Sequence, residues 1–578
     1  MNPNAILPSS SMASASTPSS SSASSMSAVA TAAVLAASAG FAAGVASGIA
    51  LYQRHERRQR QQALASTAPL DPRDPESLRE SAAGLVDLIG RYRRKLYSRE
   101  LGDPKTSYAV RTQIAPGSIV AQLPSTCPES PESYASIFKD CEDIIFPGLT
   151  HWSSPNFMAY FKVCGGDPSA LADLLCASLN VVGFTWVAAP AATELEIVMC
   201  DWVARLMGLP DCFLSTSPGG GVIQTTASDS LLCAMIAARN RALEGLEGQA
   251  RVDKASRLVM YVSDQTHSIG GKGCLVLDLP HLRVIPTRRG ATDPDNYGLH
   301  PDDVAAAMAA DVAAGLVPFM LVPTVGTTST TAIDPVRALV AVARQQRAPV
   351  WVHIDGAYGG AAAICPEFRH WLDGVELVDS LCINPHKWLM VAMDCSLLWV
   401  RDRRPLIQAL ALDPEYLKSD FMSQVNYKDW QVALGRRFRS LKLWFTLRRF
   451  GAEGLRAHIR RTIELTRRAE SQLIEDGRFT IFTPVRMGLV CFYVSFGGRE
   501  LNEALLRRVN DTGKTFLIHS VVDGTYFLRL TPGGAEIDEW HIDNAVTVLL
   551  DCLSELVEES EEWTAAFQTF RTSPQVEA

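Results

Sequence analysis

From Gly166 to Leu441 the chain alternates short apolar runs with stretches of helical character. RLVMYVS, LRVIPT, PFMLVPTV, VWVHID, SLCIN and CSLLWV are the runs. Each is a few residues long, rich in Val, Ile and Leu, and lacks the polar alternation of a half-exposed strand. They fit strands buried on both faces. Strands that alternate with helices predict an α/β fold, with an open, mostly parallel central sheet and helices on both faces. Ligands of such sheets gather beyond the C-terminal ends of the strands, so the loops after these runs are where chemistry is expected.

The flanking regions differ. Residues 74–165 read as amphipathic helices with proline breaks, and in SPESYASIFKDCEDIIFPGL Ser130 is the expected cap and Pro147 the stop. Residues 442–557 read as a smaller α+β part, with VCFYVSF and VVDGTYFLRL as strands and a hairpin turn at Val-Val-Asp-Gly. The acidic tail 558–578 is expected to fray. At the other end, residues 1–26 are a Ser/Ala low-complexity tract, expected to be disordered. Ser27–Tyr52 carries no charge and precedes QRHERRQRQ, and 53–73 reads as a linker. That uncharged run is long enough for one bilayer crossing, and the arginines after it would leave the rest of the chain on the cytoplasmic side. Its Ala/Gly/Ser content and the lack of any acid before Glu56 fit a plastid or other organelle transit peptide equally well.

Composition excludes several classes. The 578 residues carry a formal charge of −8 and no basic stripe, which excludes nucleic-acid binding as the expected role. The 13 cysteines are scattered singly with no C-x-x-C pair, so neither a disulfide framework nor a metal site is expected.

Four loops collect polar residues at strand ends. In SPGGGVIQTTASDS a glycine run precedes Ala227 and Ser228, which open a helix whose free N–H groups suit a phosphate; glycine runs are also common in plain turns. In VSDQTHSI, His267 follows a strand, and a lone histidine is more often structural than catalytic. In WVHIDGAYGG, Asp355 ends an apolar strand, where a carboxylate needs a cation. In DSLCINPHKWLMV, Lys387 sits among apolar residues beside Asn384 and His386. One ligand would use all four: pyridoxal phosphate has a phosphate, a ring nitrogen that favours a carboxylate, a flat face and an aldehyde that condenses with lysine. Burial would lower the lysine pKa and free its amine.

The stretch from about Asp74 to Leu556 resembles the group II pyridoxal-phosphate decarboxylases, specifically the aromatic L-amino-acid decarboxylases. INPHKW carries the resemblance together with HWSSPNFMAYF, GFTWVAAPAATELE, SDQTHS, VGTTSTTAIDP, ICPEFRHWLDGVE and LGRRFRSLKLW, all in family order. TWVAAPAATELE and YKDWQ look most like the plant tryptophan and tyrosine decarboxylase branch. The resemblance implies fold type I (aspartate-aminotransferase-like), a helical N-terminal arm, a small C-terminal domain and a homodimer with shared active sites. It implies that Lys387 holds the cofactor aldehyde, Asp355 partners the ring nitrogen, His267 stacks on the ring and Ala357 lies on its other face. Thr328 would stand near Asp355 and His267, and Ala227, Ser228, Asn384 and His386 would contact the phosphate.

The same resemblance makes LDPEYLKSDFMSQVNYKDW a mobile loop, with Tyr416 as proton donor in decarboxylation; the sister aldehyde synthases typically carry phenylalanine there. Trp152, Tyr160, Val182 and Phe184 would form an apolar substrate wall, the last two reaching in from the other subunit. Gly435 goes with indole substrates, so tryptophan-type amino acids are expected first and tyrosine or dopa next, with aromatic aldehyde synthesis as the near alternative. A catalytically inactive, membrane-tethered binding protein is the remote one. One departure stands out: Lys162-Val163 replaces the family's proline-containing run after AYF. Lys162 is expected to face solvent, or else to recruit an acidic group on an unusual substrate.

Overall fold

The computed structural model describes residues 45–47, 49–59, 61–62, 64–67, 74–290 and 296–572. Two compact units divide the chain, one drawn from 1–92 and 120–145, the other from 93–119 and 146–578.

The first unit is helical. Its Tyr134–Asp140 helix is capped by Ser133, whose hydroxyl accepts from the Ser136 N–H at 3.2 Å. The cap expected at Ser130 is therefore three residues late in the chain, and Pro147 lies within a short 3-10 turn, Phe146–Gly148, that belongs to the second unit. Residues 1–26, and 27–44 of the uncharged run, lie outside the described residues. Residues 51–59 of the run and the expected linker are helical. Among the described residues, no helix is long and apolar enough to cross a membrane.

The second unit is built on a seven-stranded sheet. Its strands are β1 (Gly220–Gln224), β2 (Leu258–Ser263), β3 (His281–Ile285), β4 (Val317–Leu321), β5 (Trp351–Asp355), β6 (Ser380–Ile383) and β7 (Ser396–Val400). Their order is β1-β7-β6-β5-β4-β2-β3. β2, β5, β6 and β7 are buried along their whole length, which accounts for their unbroken apolar sequence. β3 lies at an edge and is only partly covered. The sheet is parallel except for β7, which pairs antiparallel with both β6 and β1. The chain between β6 and β7 contains only the four-residue helix Pro385–Trp388, too little for a crossover back to the starting edge. The fold-type-I expectation, a mostly parallel sheet flanked by helices, is met.

After the long helix Ser440–Asp476 comes a four-stranded antiparallel sheet of β8 (Phe479–Thr483), β9 (Val490–Val494), β10 (Ile518–Val522) and β11 (Thr525–Leu530), in the order β8-β9-β11-β10. The β10–β11 hairpin turns at Asp523 (φ 50°) and Gly524 (φ 74°), the doubly left-handed turn that matches strand twist.

The acidic tail is not frayed over its first part. Glu561–Thr572 is a helix, and Phe567 and Phe570 pack on Phe496 with ring centroids 5.1 and 5.5 Å apart. Charge dominates the composition of this segment, but its aromatic residues recur at helical spacing and find an apolar face. Replacing both Phe567 and Phe570 by alanine is expected to destabilise the second unit by about 2–4 kcal/mol. A thermal melt unchanged from the parent would show that the helix adds nothing.

Candidate active site

The C-terminal ends of the parallel strands converge on one cavity. Beyond β1, Thr226 and Asp229 form a reciprocal cap: the Thr226 hydroxyl accepts from the Asp229 N–H at 3.4 Å, and the Asp229 carboxylate accepts from the Thr226 N–H at 3.1 Å. This starts the Ala227–Ala242 helix with its first residues at the cavity. Beyond β2, the Thr266 hydroxyl accepts from the Ser263 N–H at 2.9 Å, and the turn presents His267. β5 ends at Asp355, and beyond β6 the chain folds into Asn384–Lys387, where the Lys387 N–H donates to the Asn384 carbonyl at 2.9 Å.

The cavity measures about 180 Å³ and is lined by Lys387, Asp355, His267 and Thr328, with Ala357 among them. Ala227, Ser228, Asn384 and His386 line it too, so every residue expected to contact the cofactor is brought together.

Asp355 is 6% exposed. One of its oxygens accepts from the Ala357 N–H at 3.0 Å, and among the described residues it forms no ion pair. Burial pushes the Lys387 amine below the ordinary lysine pKa, partly offset by Asp355 and Cys382. Burial also lowers His267, with Asp355 opposing and Lys387 adding to the shift. His386 falls to about 4 through burial first and Lys387 second. The N–H of Cys395 donates to His386 Nδ1 at 3.1 Å and that of Ile269 to His267 Nδ1 at 3.3 Å. Both neutral rings therefore carry their proton on Nε2.

These residues fit pyridoxal phosphate. The buried Asn384 Oδ1 and Thr324 Oγ1 line the cavity without any hydrogen bond, as polar atoms awaiting a ligand do. The helix start suits an anion and the unpaired Asp355 a protonated ring nitrogen.

Sequence reading missed several neighbours. Phe161, Thr226, Gly326 and Tyr358 also line the cavity. Phe161 stacks on Tyr358 with centroids 3.7 Å apart, and the Lys387 Nζ lies 5.8 Å from the Phe161 ring. Behind it the buried Arg529 sits 5.4 Å from the same ring, with Nε and Nη2 making no hydrogen bond. An arginine inside the strand sequence YFLRL was the available signal. The glycine run does something other than cradle a ligand. A Cβ at Gly219 would stand 2.1 Å from the Cys212 carbonyl oxygen, and one at Gly221 2.7 Å from the Cys200 Cβ, so these glycines permit close packing behind the sheet.

The expected substrate wall and loop lie elsewhere on the chain. Trp152 and Tyr160 stack with centroids 5.3 Å apart and are exposed, as is Val182; Phe184 is partly buried. A Cβ at Gly435 would meet nothing within 4 Å, and Tyr416 is 77% exposed. None of them lines the cavity.

Lys162 contradicts both expectations. It is 4% exposed, and its Nζ donates to the carbonyls of Ser154 (2.8 Å) and Gly533 (3.0 Å). Burial lowers its pKa, with Cys164 and Glu536 opposing. It neither faces solvent nor offers its charge to a substrate.

Residues 116–495 match the pyridoxal-dependent decarboxylase conserved domain. Tryptophan decarboxylase 2 of Oryza sativa subsp. japonica is 43% identical over 487 residues, covering 82% of this chain and 94% of the relative. The chain belongs to the pyridoxal-dependent decarboxylase family. Among solved structures, Catharanthus roseus tryptophan decarboxylase in complex with L-tryptophan superposes with a TM-score of 0.77 at 42% identity, over 84% of this chain and all (100%) of that one. Rhodiola rosea 4-hydroxyphenylacetaldehyde synthase gives 0.77 at 38% identity, over the same 84% and 100%. As a pyridoxal-dependent decarboxylase the protein is a carboxy-lyase, and its cofactor is pyridoxal phosphate.

Borohydride reduction of the loaded enzyme is expected to fix the cofactor on the peptide bearing Lys387, read as a mass gain, and Lys387→Ala to abolish that adduct. An adduct on the other deeply buried lysine of lowered pKa, Lys162, would move the attachment point.

Proposed function

We propose that this decarboxylase converts an aromatic L-amino acid to the arylalkylamine and CO₂, with tryptophan-type substrates preferred and tyrosine or dopa next. The observation that carries the reading is the single cavity in which the Lys387 amine and the unpaired Asp355 carboxylate stand with His267. The names of the relatives, among them a tryptophan decarboxylase of Oryza sativa subsp. japonica, support the aromatic class.

When bound, pyridoxal phosphate supplies a conjugated ring that takes up the electron pair left as CO₂ departs. Lys387, its amine pushed below the ordinary lysine pKa by burial, would hold the cofactor aldehyde. Asp355 would keep the ring nitrogen protonated. His267 and Ala357 would bound the two ring faces, and Thr328 would stand beside Asp355 and His267. Ala227, Ser228, Asn384 and His386 would hold the phosphate, His386 through its Nε2–H. Tyr416 would deliver the proton to Cα.

Tyr416 and the wall residues Val182 and Phe184 do not reach the cavity of their own chain, which supports a homodimer with shared sites. Leu171, Leu174, Leu175 and Leu179 on the Asp167–Leu179 helix are exposed, an apolar face suited to a second copy. The uncharged run Ser27–Tyr52 with its arginine-rich flank supports a membrane tether or a transit peptide alike.

A second reading, aromatic aldehyde synthesis, is favoured by the likeness to the Rhodiola rosea enzyme. The Tyr416 hydroxyl argues for the amine, because prompt protonation at Cα competes with oxidation. Tyr416→Phe is expected to shift the product from amine toward aldehyde, measured alongside peroxide and ammonia; an unchanged ratio removes Tyr416 as the donor. Gly435→Ser is expected to favour tyrosine over tryptophan by roughly tenfold in kcat/KM, the scale of a pocket-size change. The open space at Gly435 lets a side chain enter without backbone strain, so an unaltered preference would refute the substrate assignment.

A further inference from the structure

Lys428 is a buried cation that the chemistry above leaves unused. It lies in the Tyr427–Trp430 turn, at the end of the loop that carries Tyr416. Its Nζ donates to the Leu412 carbonyl at 3.0 Å, to Asp413 Oδ1 at 3.1 Å and to Asp429 Oδ1 at 2.6 Å. All three ammonium protons are thus used, two of them on residues where the same loop begins. Burial works against the charge, but the hydrogen bonds it donates to Asp429 and Asp413 outweigh that and hold Lys428 above the ordinary lysine pKa.

The same turn is tied to the substrate-wall segment. The Lys428 N–H donates to the Phe184 carbonyl at 2.9 Å, and Asn426 Oδ1 accepts from the Trp186 N–H at 3.0 Å. The Trp186 and Phe421 rings meet with centroids 4.7 Å apart. On the other side of the wall, the Gly183 N–H donates to the carbonyl of Arg436, next to Gly435. A loop pinned at both ends loses less entropy on closing than one free at either end. It also moves with whatever it is pinned to.

We propose that Lys428 is a positioning residue: its ammonium fastens the start of the Tyr416 loop to the 427–430 turn, which the Lys428 N–H and Asn426 hold against the wall segment 183–186, so that the hydroxyl and the wall reach a reaction centre as one unit. This rests on the decarboxylase reading above and adds a link between substrate fit and protonation. A ring seated against Phe184 bears on the segment whose register sets where Tyr416 arrives.

The test uses full-length enzyme loaded with cofactor. Lys428→Met keeps the length of the side chain and removes the donors. Asp413→Asn, at a half-exposed residue, weakens only the loop-side attachment and serves if the first variant does not fold. Lys418 lies exposed on the loop and reports its mobility to trypsin. Lys428→Met is expected to speed cleavage after Lys418 by about fivefold or more, as local opening becomes easier. Visible absorption of the bound cofactor should stay at the parental value, and Asp413→Asn should show a smaller effect in the same direction.

The product should shift from amine toward aldehyde as well. That route takes up one O₂ and one water and releases CO₂, ammonia and peroxide with the aldehyde. A folded, cofactor-loaded Lys428→Met protein with parental Lys418 cleavage and parental amine fraction overturns the proposal. If Tyr416→Phe also leaves the product unchanged, the tyrosine assignment has failed instead, and the rate of Lys418 cleavage alone decides on Lys428.

Discussion

The buried carboxylate at the end of β5 sets the terms for the large domain. Asp355 has one backbone N–H as a hydrogen-bond partner and no cation among the described residues. An unpaired charge in such a place is costly, and a protein keeps one only where a ligand supplies the countercharge. Every neighbouring feature answers that requirement. The parallel strands bring β1, β2, β4, β5 and β6 to a common edge, and the loops leaving them deliver the helix start at Ala227, the neutral His267 and the Lys387 amine around Asp355. The antiparallel return of β7 matters for the same reason. It lets the chain turn back directly after Lys387, so the lysine segment is held between β6 and β7 rather than at the end of a long crossover.

A second structure rests on the strip of chain from Phe157 to Gly166. On one side the Met158 N–H donates to the Phe516 carbonyl at 3.0 Å, and the Thr531 N–H to the Met158 carbonyl at 2.9 Å, joining the strip to the small domain. On the other, the Cys164 N–H donates to the His386 carbonyl at 3.1 Å, joining it to the lysine segment. Lys162 belongs to this strip, and its burial explains a pair of glycines 371 residues away. A Cβ at Gly534, whose φ is +94°, would come within 2.9 Å of Lys162 Nζ, and one at Gly533 within 3.2 Å of Lys162 Cβ. The buried Lys162 and the Gly-Gly turn are therefore one feature. The Lys162 amine is directed at two backbone carbonyls inside the protein.

Strands and cavity residues were legible in the sequence because both depend on local signals. A fully buried strand is apolar throughout, and a residue at its C-terminal end inherits a place at the sheet edge. Direction was not legible: nothing in CSLLWV distinguishes an antiparallel strand from a parallel one, and only the shortness of the connection decides it. Lys162 was misread because its partners are backbone carbonyls brought in by tertiary structure, which leave no trace near it in sequence. The tail was misread for the opposite reason, its many acids concealing an aromatic helix face. The glycine run was legible only as tight backbone; the atoms that Gly219 and Gly221 avoid belong to Cys212 and Cys200, distant in sequence.

What the single chain leaves apart is as informative as what it assembles. The cofactor residues meet within one subunit, while Tyr416, Val182 and Gly435 face outward on segments stitched to one another. A site divided as proposed would have a physical advantage. The cofactor end requires rigidity, since a buried carboxylate and amine tolerate little displacement, and it is set in the sheet. On the reading proposed above, the proton-donating end would have to admit substrate, exclude water and then release product, which requires motion. Placing the moving part outside the cavity would let the loop swing without disturbing Asp355 or Lys387. In the proposed homodimer, the exposed apolar face at Leu171 and Leu175 would do more than add buried area: its registry would determine how closely a tyrosine approaches a carbon atom bound in the other subunit.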